Sequence, residues 1–170
     1  MLPVVLAILF SLTHALPSCI GSRNSPSIQQ LADAENTWRA DTSTVSQFLS
    51  AVPTLNGTSL AAAAQVALNA ENDELLHKKV LDEAFSSDPR IVEANDVLVK
   101  QGTFQSVVDA LRDFADNGAV MTSCQISTLL KNTNTVRCSK VLPAIDTYFC
   151  VTSEKLNNGV SFTAARPNNC

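Results

Sequence analysis

Three residues have a type and spacing that could do chemistry: Glu71, Glu74 and His77, at every third position of a predicted helix. A Glu-x-x-His pair on one helix is half of the carboxylate-bridged site that holds two metal ions in some helical bundles. A complete site needs a second such pair and two further carboxylates, and the chain has one other histidine, His14. We therefore expect the three residues to be structural. A single-metal site and a lining role in a ligand pocket are the alternatives.

Glu71 is the least ordinary of the three because the predicted helix places it on the apolar face. A carboxylate in that position is costly to bury unless it is neutralised, paired or hydrogen-bonded. The cations that could pair with it are Arg112, Arg137 and Lys140, and backbone donors at a neighbouring helix end are a further option. The apolar residues within about 60° of Glu71 around the helix axis are Leu60, Ala64, Ala67, Leu68 and Leu75.

Other catalytic patterns are missing from the sequence. It contains no Gly-x-Ser-x-Gly motif and no glycine-rich phosphate loop. Asp109, Asp113 and Asp116 form an acidic stripe on one predicted helix, and such a stripe is more typical of a solvated face than of a metal site. The net charge of −4 and the lack of a basic cluster argue against nucleic-acid binding. We predict no catalytic residue, no cofactor and no nucleic-acid partner.

Helical patterns cover most of the chain, and no segment alternates for long with the period of a strand. The ends of the predicted helices are marked by capping residues, glycines and prolines. These helices cover residues 28–40, 42–52, 59–85, 89–102, 103–118 and 138–156. The helix that begins at Pro89 is apolar over a wide arc and is expected to lie centrally, and Pro143 is expected in a first turn or at a kink. The predicted fold class is all-α, a bundle of five or six helices in a single domain over residues 16–170.

The N-terminus has the composition of a secretory signal. Residues 2–12 are apolar over a length that suits a signal and is too short to span a bilayer. Cleavage is predicted after Ala15, with Gly21 as the latest alternative, and no later segment is predicted to anchor the chain in a membrane. The mature chain should begin with a flexible segment. Its predicted glycosylation site is Asn56, in the triplet Asn-Gly-Thr.

The five cysteines fit an oxidising compartment. Cys124, Cys138, Cys150 and Cys170 all lie in the C-terminal third, which we expect disulfides to staple. Cys138 and Cys150 are twelve residues apart, or about 18 Å along a helix, too far for a disulfide. We predict a Cys124–Cys138 disulfide and a bond from Cys150 to a chain end, either Cys170 or, if cleavage retains it, Cys19. The tail after residue 156 should be irregular and held by its last cysteine.

Three stretches of the chain resemble a family of small secreted α-helical proteins of filamentous fungi. They are ENDELLHKKVLD at 71–82, QGTFQSVVD at 101–109 and RCSKVLPAIDTYF at 137–149. The resemblance extends over most of residues 45–156. It implies an extracellular fungal protein, associated with the cell wall or acting on a host, and it supplies no catalytic residues.

The function expected from these observations is binding rather than catalysis. The leading hypothesis is a secreted binding protein at the fungal surface, or an effector that contributes to virulence, with an extracellular protein or a wall or host component as its partner. A first alternative is a carrier in which the helices enclose a fatty acid or a sterol. A second is a metal-binding protein that uses Glu71, Glu74 and His77.

Overall fold

A computed structural model describes residues 25–157 and 159–170. The α-helices in this part of the chain are α1 Ile28–Ala51, α2 Gly57–Phe85, α3 Pro89–Asn95, α4 Thr103–Asn117, α5 Ser123–Val136 and α6 Leu142–Leu156. A 3₁₀ turn, Val52–Thr54, follows α1, and π-helical turns follow α3 (Asp96–Lys100) and α5 (Arg137–Val141). No strand occurs among the described residues, so the all-α prediction is confirmed. The predicted signal segment, His14 and Cys19 lie outside them.

Helix α1 is one continuous helix, where the sequence predicted two. Its N-terminus is a capping box, in which Ser27 and Gln30 bond to each other's backbone N–H groups. The predicted break fell at Asp41 and Thr42, because both residue types favour caps. In the structure the Thr42 hydroxyl instead donates to the Trp38 carbonyl one turn earlier, at 2.8 Å, and the helix continues to Ala51.

Helix α2 is continuous to Phe85, as predicted, and packs along α1 in the most extensive helix pair of the fold. It begins at Gly57, two residues before the predicted start, with Asn56 as its N-cap, and Gly57 takes a positive φ of 54°. Glu71 lies on the buried face, as predicted. Leu75, which was predicted on the same face, is 44% exposed and does not lie on the buried face.

Helix α3 begins as predicted, with Asp88 accepting a hydrogen bond from the Arg90 N–H and with Pro89 in the first turn. Gly102 ends the following π turn at a φ of 67°, a conformation that suits glycine. The expected central position is wrong. Val92 and Val99 are more than half exposed, so this segment buries one face only and covers the side of the bundle.

Helices α5 and α6 form one helical stretch from residue 123 to residue 156, interrupted by the π turn at Arg137–Val141. Pro143 stands in the first turn of α6, where a missing N–H is tolerated. The extra residue in a π turn re-aims the side chains that follow. Here it accompanies the burial of Arg137 and the partial exposure of Cys138.

The core is built from aliphatic side chains around a small aromatic cluster. The Trp38 ring lies 5.2 Å from Tyr148 and 5.6 Å from Phe149, and all three side chains are fully buried. These contacts join α1 to α6. Offset and edge-to-face ring pairs of this kind add to the energy of simple burial, so the cluster stabilises the centre of the bundle.

A single disulfide is present in the described residues, between Cys138 and Cys170. The predicted Cys124–Cys138 pairing is wrong because both residues lie in one helical stretch, which separates them by fourteen residues, or about 21 Å. Cys124 and Cys150 are free thiols, so Cys150 does not reach Cys170. The C-terminal third is therefore held by one bond rather than by a set.

The tail is irregular, as predicted, and returns over α1 and α6. The Ser46 hydroxyl donates to the Ala165 carbonyl at 2.7 Å, and the Ala164 N–H donates to Asp146 Oδ1 at 2.7 Å. Asn134 Nδ2 donates to Asn169 Oδ1 at 2.8 Å beside the disulfide. Within the described part of the chain, none of the helices has the length and apolarity that crossing a membrane requires.

Candidate functional site

Glu71 and Glu74 lie in a buried charged cluster at the centre of the bundle, with Arg137 and Trp38. All four side chains are shielded completely from solvent. Arg137 Nη1 donates to Glu71 Oε2 at 2.8 Å, and Trp38 Nε1 donates to Glu74 Oε2 at 2.7 Å. Arg137 was one of the three cations proposed from the sequence as a partner of Glu71. The cluster joins α1, α2 and the π turn that precedes α6.

One guanidinium faces two carboxylates in this cluster, so the charges do not balance. Burial raises the pKa of Glu71, while the charge of Arg137 opposes that rise. Burial and the charge of Glu71 together raise the pKa of Glu74 well above its ordinary value. The geometry agrees, because Arg137 Nη2 is 3.8 Å from Glu74 Oε1, beyond hydrogen-bond distance. The arrangement favours an ion pair of Glu71 with Arg137 beside a protonated Glu74.

The buried cluster is not fully satisfied. Glu71 Oε1, Glu74 Oε1 and Arg137 Nε are inaccessible to solvent and have no hydrogen-bond partner. Arg137 Nη2 makes one further contact, to the Thr42 carbonyl at 3.3 Å. Because no atom of the cluster reaches the surface, it cannot act on an external substrate. Its role is to fix how three helical segments pack.

Folding stability should therefore depend on pH in an unusual direction. Glu35, Asp41, Glu71 and Glu74 all have pKa values that burial raises in the folded state. The folded protein then binds more protons than the unfolded chain once the pH exceeds the ordinary carboxyl pKa, 3.8 for aspartate and 4.5 for glutamate. Each such group lowers the free energy of unfolding as pH rises, by at most about 1.4 kcal/mol per pH unit. We expect the free energy of unfolding to be highest near or below pH 4.5 and to fall toward neutrality.

Urea unfolding between about pH 4.5 and pH 8 measures this dependence. Glu74→Gln mimics the protonated side chain and should flatten the slope, whereas Glu83→Gln, at an exposed position of α2, should leave it unchanged. Stability that rises over this interval would contradict the assignment of Glu74 as the protonated member. Three exposed carboxylates have lowered pKa values: Asp88, Asp96 and Glu154. They make the free energy of unfolding rise with pH, but only below this pH interval.

A second polar network lies on the same side of α2 and is well satisfied. Lys78 Nζ donates to Asp82 Oδ2 at 2.6 Å and also to Asn95 Oδ1. The Tyr148 hydroxyl donates to Asp82 Oδ1 at 2.6 Å. Burial and the neighbouring Asp82 carboxylate raise the pKa of Tyr148, which keeps the hydroxyl protonated. This network joins α2 to α3 and α6 and is structural.

His77 does not lie beside Glu71 and Glu74, the other two ligands of the predicted metal site. Its Nε2 atom lies 3.4 Å from Asp41 Oδ2 and 3.4 Å from Asp73 Oδ2, near the surface between α1 and α2. The structure therefore does not assemble Glu71, Glu74 and His77 into one site. Among the described residues, the group of three whose ligand atoms could share an ion is Asp41, Asp73 and His77. The sequence signal for part of it was the i, i+4 spacing of Asp73 and His77, whereas Asp41 is brought in by helix packing.

A surface groove runs between α4 and α5, and we call it the α4–α5 groove. It consists of two hollows of about 560 Å³ and 340 Å³ that share Asp113, Leu129 and Asn132. Cys124 and Met121 line its wider end, and Asp109 and Val136 line the narrower end. Most of the residues of the wider hollow are exposed or half-buried, so it opens to solvent.

The groove exists because α5 packs loosely against the bundle. Within α5 only Thr133 and Asn134 are buried, while its apolar residues Ile126, Leu129 and Leu130 are partly exposed. A further hollow of about 530 Å³ lies on another side of α5, beside the Cys138–Cys170 disulfide. These apolar residues of α5 pack against the edge of the core and stay partly open to solvent.

The α4–α5 groove was missed at the sequence level. The acidic stripe on α4 was identified, and Asp109 and Asp113 do line the groove, so the stripe forms its rim. Asp109 accepts a hydrogen bond from Arg112 Nη1 at 2.9 Å, and Asp113 accepts one from Asn117 Nδ2 at 2.7 Å. What could not be foreseen is that α5 would stand against this stripe.

Function must be inferred from the chain's own geometry, because no family model, curated protein or solved structure matches it.

Proposed function

We propose that this protein is a secreted, non-enzymatic binding protein whose α4–α5 groove receives a cationic amphipathic segment of a partner protein. The observation that carries the proposal is the half-covered apolar stripe of α5 beside the acidic rim of α4. An amphipathic helix laid in such a groove would cover Leu129 and Met121 with its apolar face and set basic side chains against Asp109 and Asp113. The partner belongs to the fungal surface or to a host.

Extracellular location is part of the same proposal. It is supported by the signal-like residues 2–12 and by a Cys138–Cys170 disulfide, since such bonds persist in oxidising compartments. Asn56 is exposed and makes no capping hydrogen bond through its side chain, so a glycan could be accommodated there. The intact mass of protein from a culture filtrate reports signal cleavage and the Asn56 glycan together, and recovery of the uncleaved, unmodified mass would refute both.

The carrier hypothesis has less support than the groove. The hollows around α5 are large enough for a small ligand, but they lie on the outside of the bundle. Buried side chains and the charged cluster occupy the space between the core faces of α1, α2 and α6. A fatty acid bound in the protein would have to lie on the surface of α5, and native mass spectrometry of the secreted protein would detect it.

The groove is tested with two synthetic amphipathic helices that share one leucine face and carry either lysine or glutamate on the other. We expect the lysine peptide to bind and the glutamate peptide to bind at least about tenfold more weakly, with an affinity that falls as salt is added. Asp113→Lys should weaken binding of the lysine peptide by roughly tenfold. Fluorescence anisotropy measures all three.

The matched control is Glu83→Lys, which makes the same charge change on an exposed position of α2 that does not line the groove. The free thiols supply a second readout, because Cys124 lines the groove and Cys150 does not. Bound peptide should slow alkylation of Cys124 and leave Cys150 unaffected. Equal binding of both peptides, or equal effects of Asp113→Lys and Glu83→Lys, would refute the groove as the binding surface.

A further inference from the structure

The cluster of Asp41, Asp73 and His77 lies where α1 and α2 pack side by side. Asp73 and His77 are one turn apart on α2, so their side chains share a face of the helix. Asp41 approaches from α1. The three ligand atoms, one from each residue, all lie within 4.8 Å of one another. Their side chains are 16% (Asp41), 48% (Asp73) and 19% (His77) exposed, so the cluster is sheltered but open at Asp73.

The hydrogen bond between His77 Nε2 and Asp73 Oδ2 is long, and Asp41 Oδ2 has no hydrogen-bond partner. His77 Nε2 lies 3.4 Å from a carboxylate oxygen of each aspartate, while charge-assisted N–H···O bonds are about 2.7–2.9 Å long. A separation of this size also suits two ligands of one metal ion. With bonds of about 2.1 Å from Zn²⁺ to imidazole nitrogen and carboxylate oxygen, two ligand atoms of a tetrahedral site stand about 3.4 Å apart.

The electrostatics of the cluster also call for a cation. Asp41 Oδ2 is inaccessible to solvent and receives no hydrogen bond. Among the described residues, His77 is the one basic group within 4 Å of either aspartate, because Lys78 on the next position turns toward Asp82 and Asn95.

We propose that Asp41, Asp73 and His77 bind one divalent transition-metal ion of the zinc class. His77 would bind through Nε2 and each aspartate through Oδ2, and water would complete the coordination at the exposed Asp73 side. An imidazole ligand favours Zn²⁺, Co²⁺, Ni²⁺ or Cu²⁺ over Ca²⁺ and Mg²⁺, which take oxygen ligands. The bound ion would link α1 to α2 from the outside, independently of the α4–α5 groove.

The test is a titration of ZnCl₂ into the mature chain, expressed without an affinity tag, at neutral pH and followed by calorimetry. We expect one Zn²⁺ per chain, release of protons on binding, and no competition from millimolar Ca²⁺. His77→Gln and Asp73→Asn should each weaken Zn²⁺ binding by at least about tenfold. Asp73 is chosen over Asp41 because its side chain is half exposed, so its replacement leaves the packing of α1 and α2 intact.

The matched control is Glu83→Gln, an exposed acidic residue of the same helix, which should bind Zn²⁺ as the wild type does. Circular dichroism confirms that each variant is folded. The proposal is overturned if the folded wild type does not bind Zn²⁺ at a concentration of about 0.1 mM. It is equally overturned if His77→Gln and Asp73→Asn bind as well as Glu83→Gln.

Discussion

Replacing Arg137 with methionine is expected to lower the free energy of unfolding by about 3–5 kcal/mol, the cost of removing one partner from a buried ion pair. Methionine keeps much of the apolar stem and removes the charge. The loss leaves the Glu71 carboxylate buried without its 2.8 Å donor, next to a second buried carboxyl, Glu74. It also removes the contact to the Thr42 carbonyl that ties the π turn to α1. Urea unfolding at neutral pH measures the change.

The control for this substitution is Lys140→Met, which removes a positive charge three residues away at an exposed position. It should change the free energy of unfolding by no more than about 0.5 kcal/mol. Glu71→Gln should cost less than Arg137→Met, because Glu74 lies 3.8 Å from Arg137 and can ionise in place of Glu71. If Arg137→Met and Lys140→Met unfold at the same urea concentration, the buried pair does not stabilise the fold.

Local signals predicted α2, α3, α4 and α6 and most of their ends, because caps and breakers act within one or two turns, but they missed α5 and divided α1. Asp88 with Pro89 and the glycine at position 102 behave as their chemistry requires. The wrongly predicted helix break at Thr42 has the same origin. A residue that favours caps can also bond back to the preceding turn, and only the tertiary packing of Trp38 and Val45 decides between the two.

The candidate sites were less accessible to sequence reasoning than the helices. Helical phase placed Glu71 in the interior and limited its partner to a few cations, but the choice of Arg137 depends on the π turn, which leaves no clear sequence signal. The same argument applies to the cluster around His77, since one of its three members comes from a different helix. The α4–α5 groove depends on what α5 fails to bury, which a sequence pattern does not report.

The disulfide error is instructive because the same rule was applied correctly to one pair and not to the other. Helical rise excluded Cys138–Cys150, and that exclusion is confirmed. It also excludes Cys124–Cys138, once α5 is known to run into the π turn without a break. Only a segment that leaves the helix can reach Cys138, and the irregular tail that ends at Cys170 is such a segment.

Removing this disulfide is the other change with a large expected effect. The bond closes a loop with a sequence separation of 32, and the chain-entropy relation for a loop of that length gives about 3–4 kcal/mol of stabilisation. The double variant Cys138→Ala, Cys170→Ser should lose about that amount without leaving a thiol at position 138 to exchange with Cys124 or Cys150. Thermal unfolding and the urea midpoint, both under non-reducing conditions, measure the loss.

The tail gives this prediction a local readout as well. It is held to α1 through the Ser46–Ala165, Asn168–Ser50 and Asn169–Leu49 hydrogen bonds, and further bonds to Asn134 of α5 and Asp146 of α6 join the same irregular segment to the bundle. Amide exchange of residues 164–170 should therefore quicken in the double variant far more than exchange in α2. Cys124→Ser is the control, because that thiol is exposed and unbonded, and it should shift stability by less than about 0.5 kcal/mol. If the double variant matches Cys124→Ser in both measurements, the hydrogen bonds of the tail are sufficient and the crosslink does not stabilise the fold.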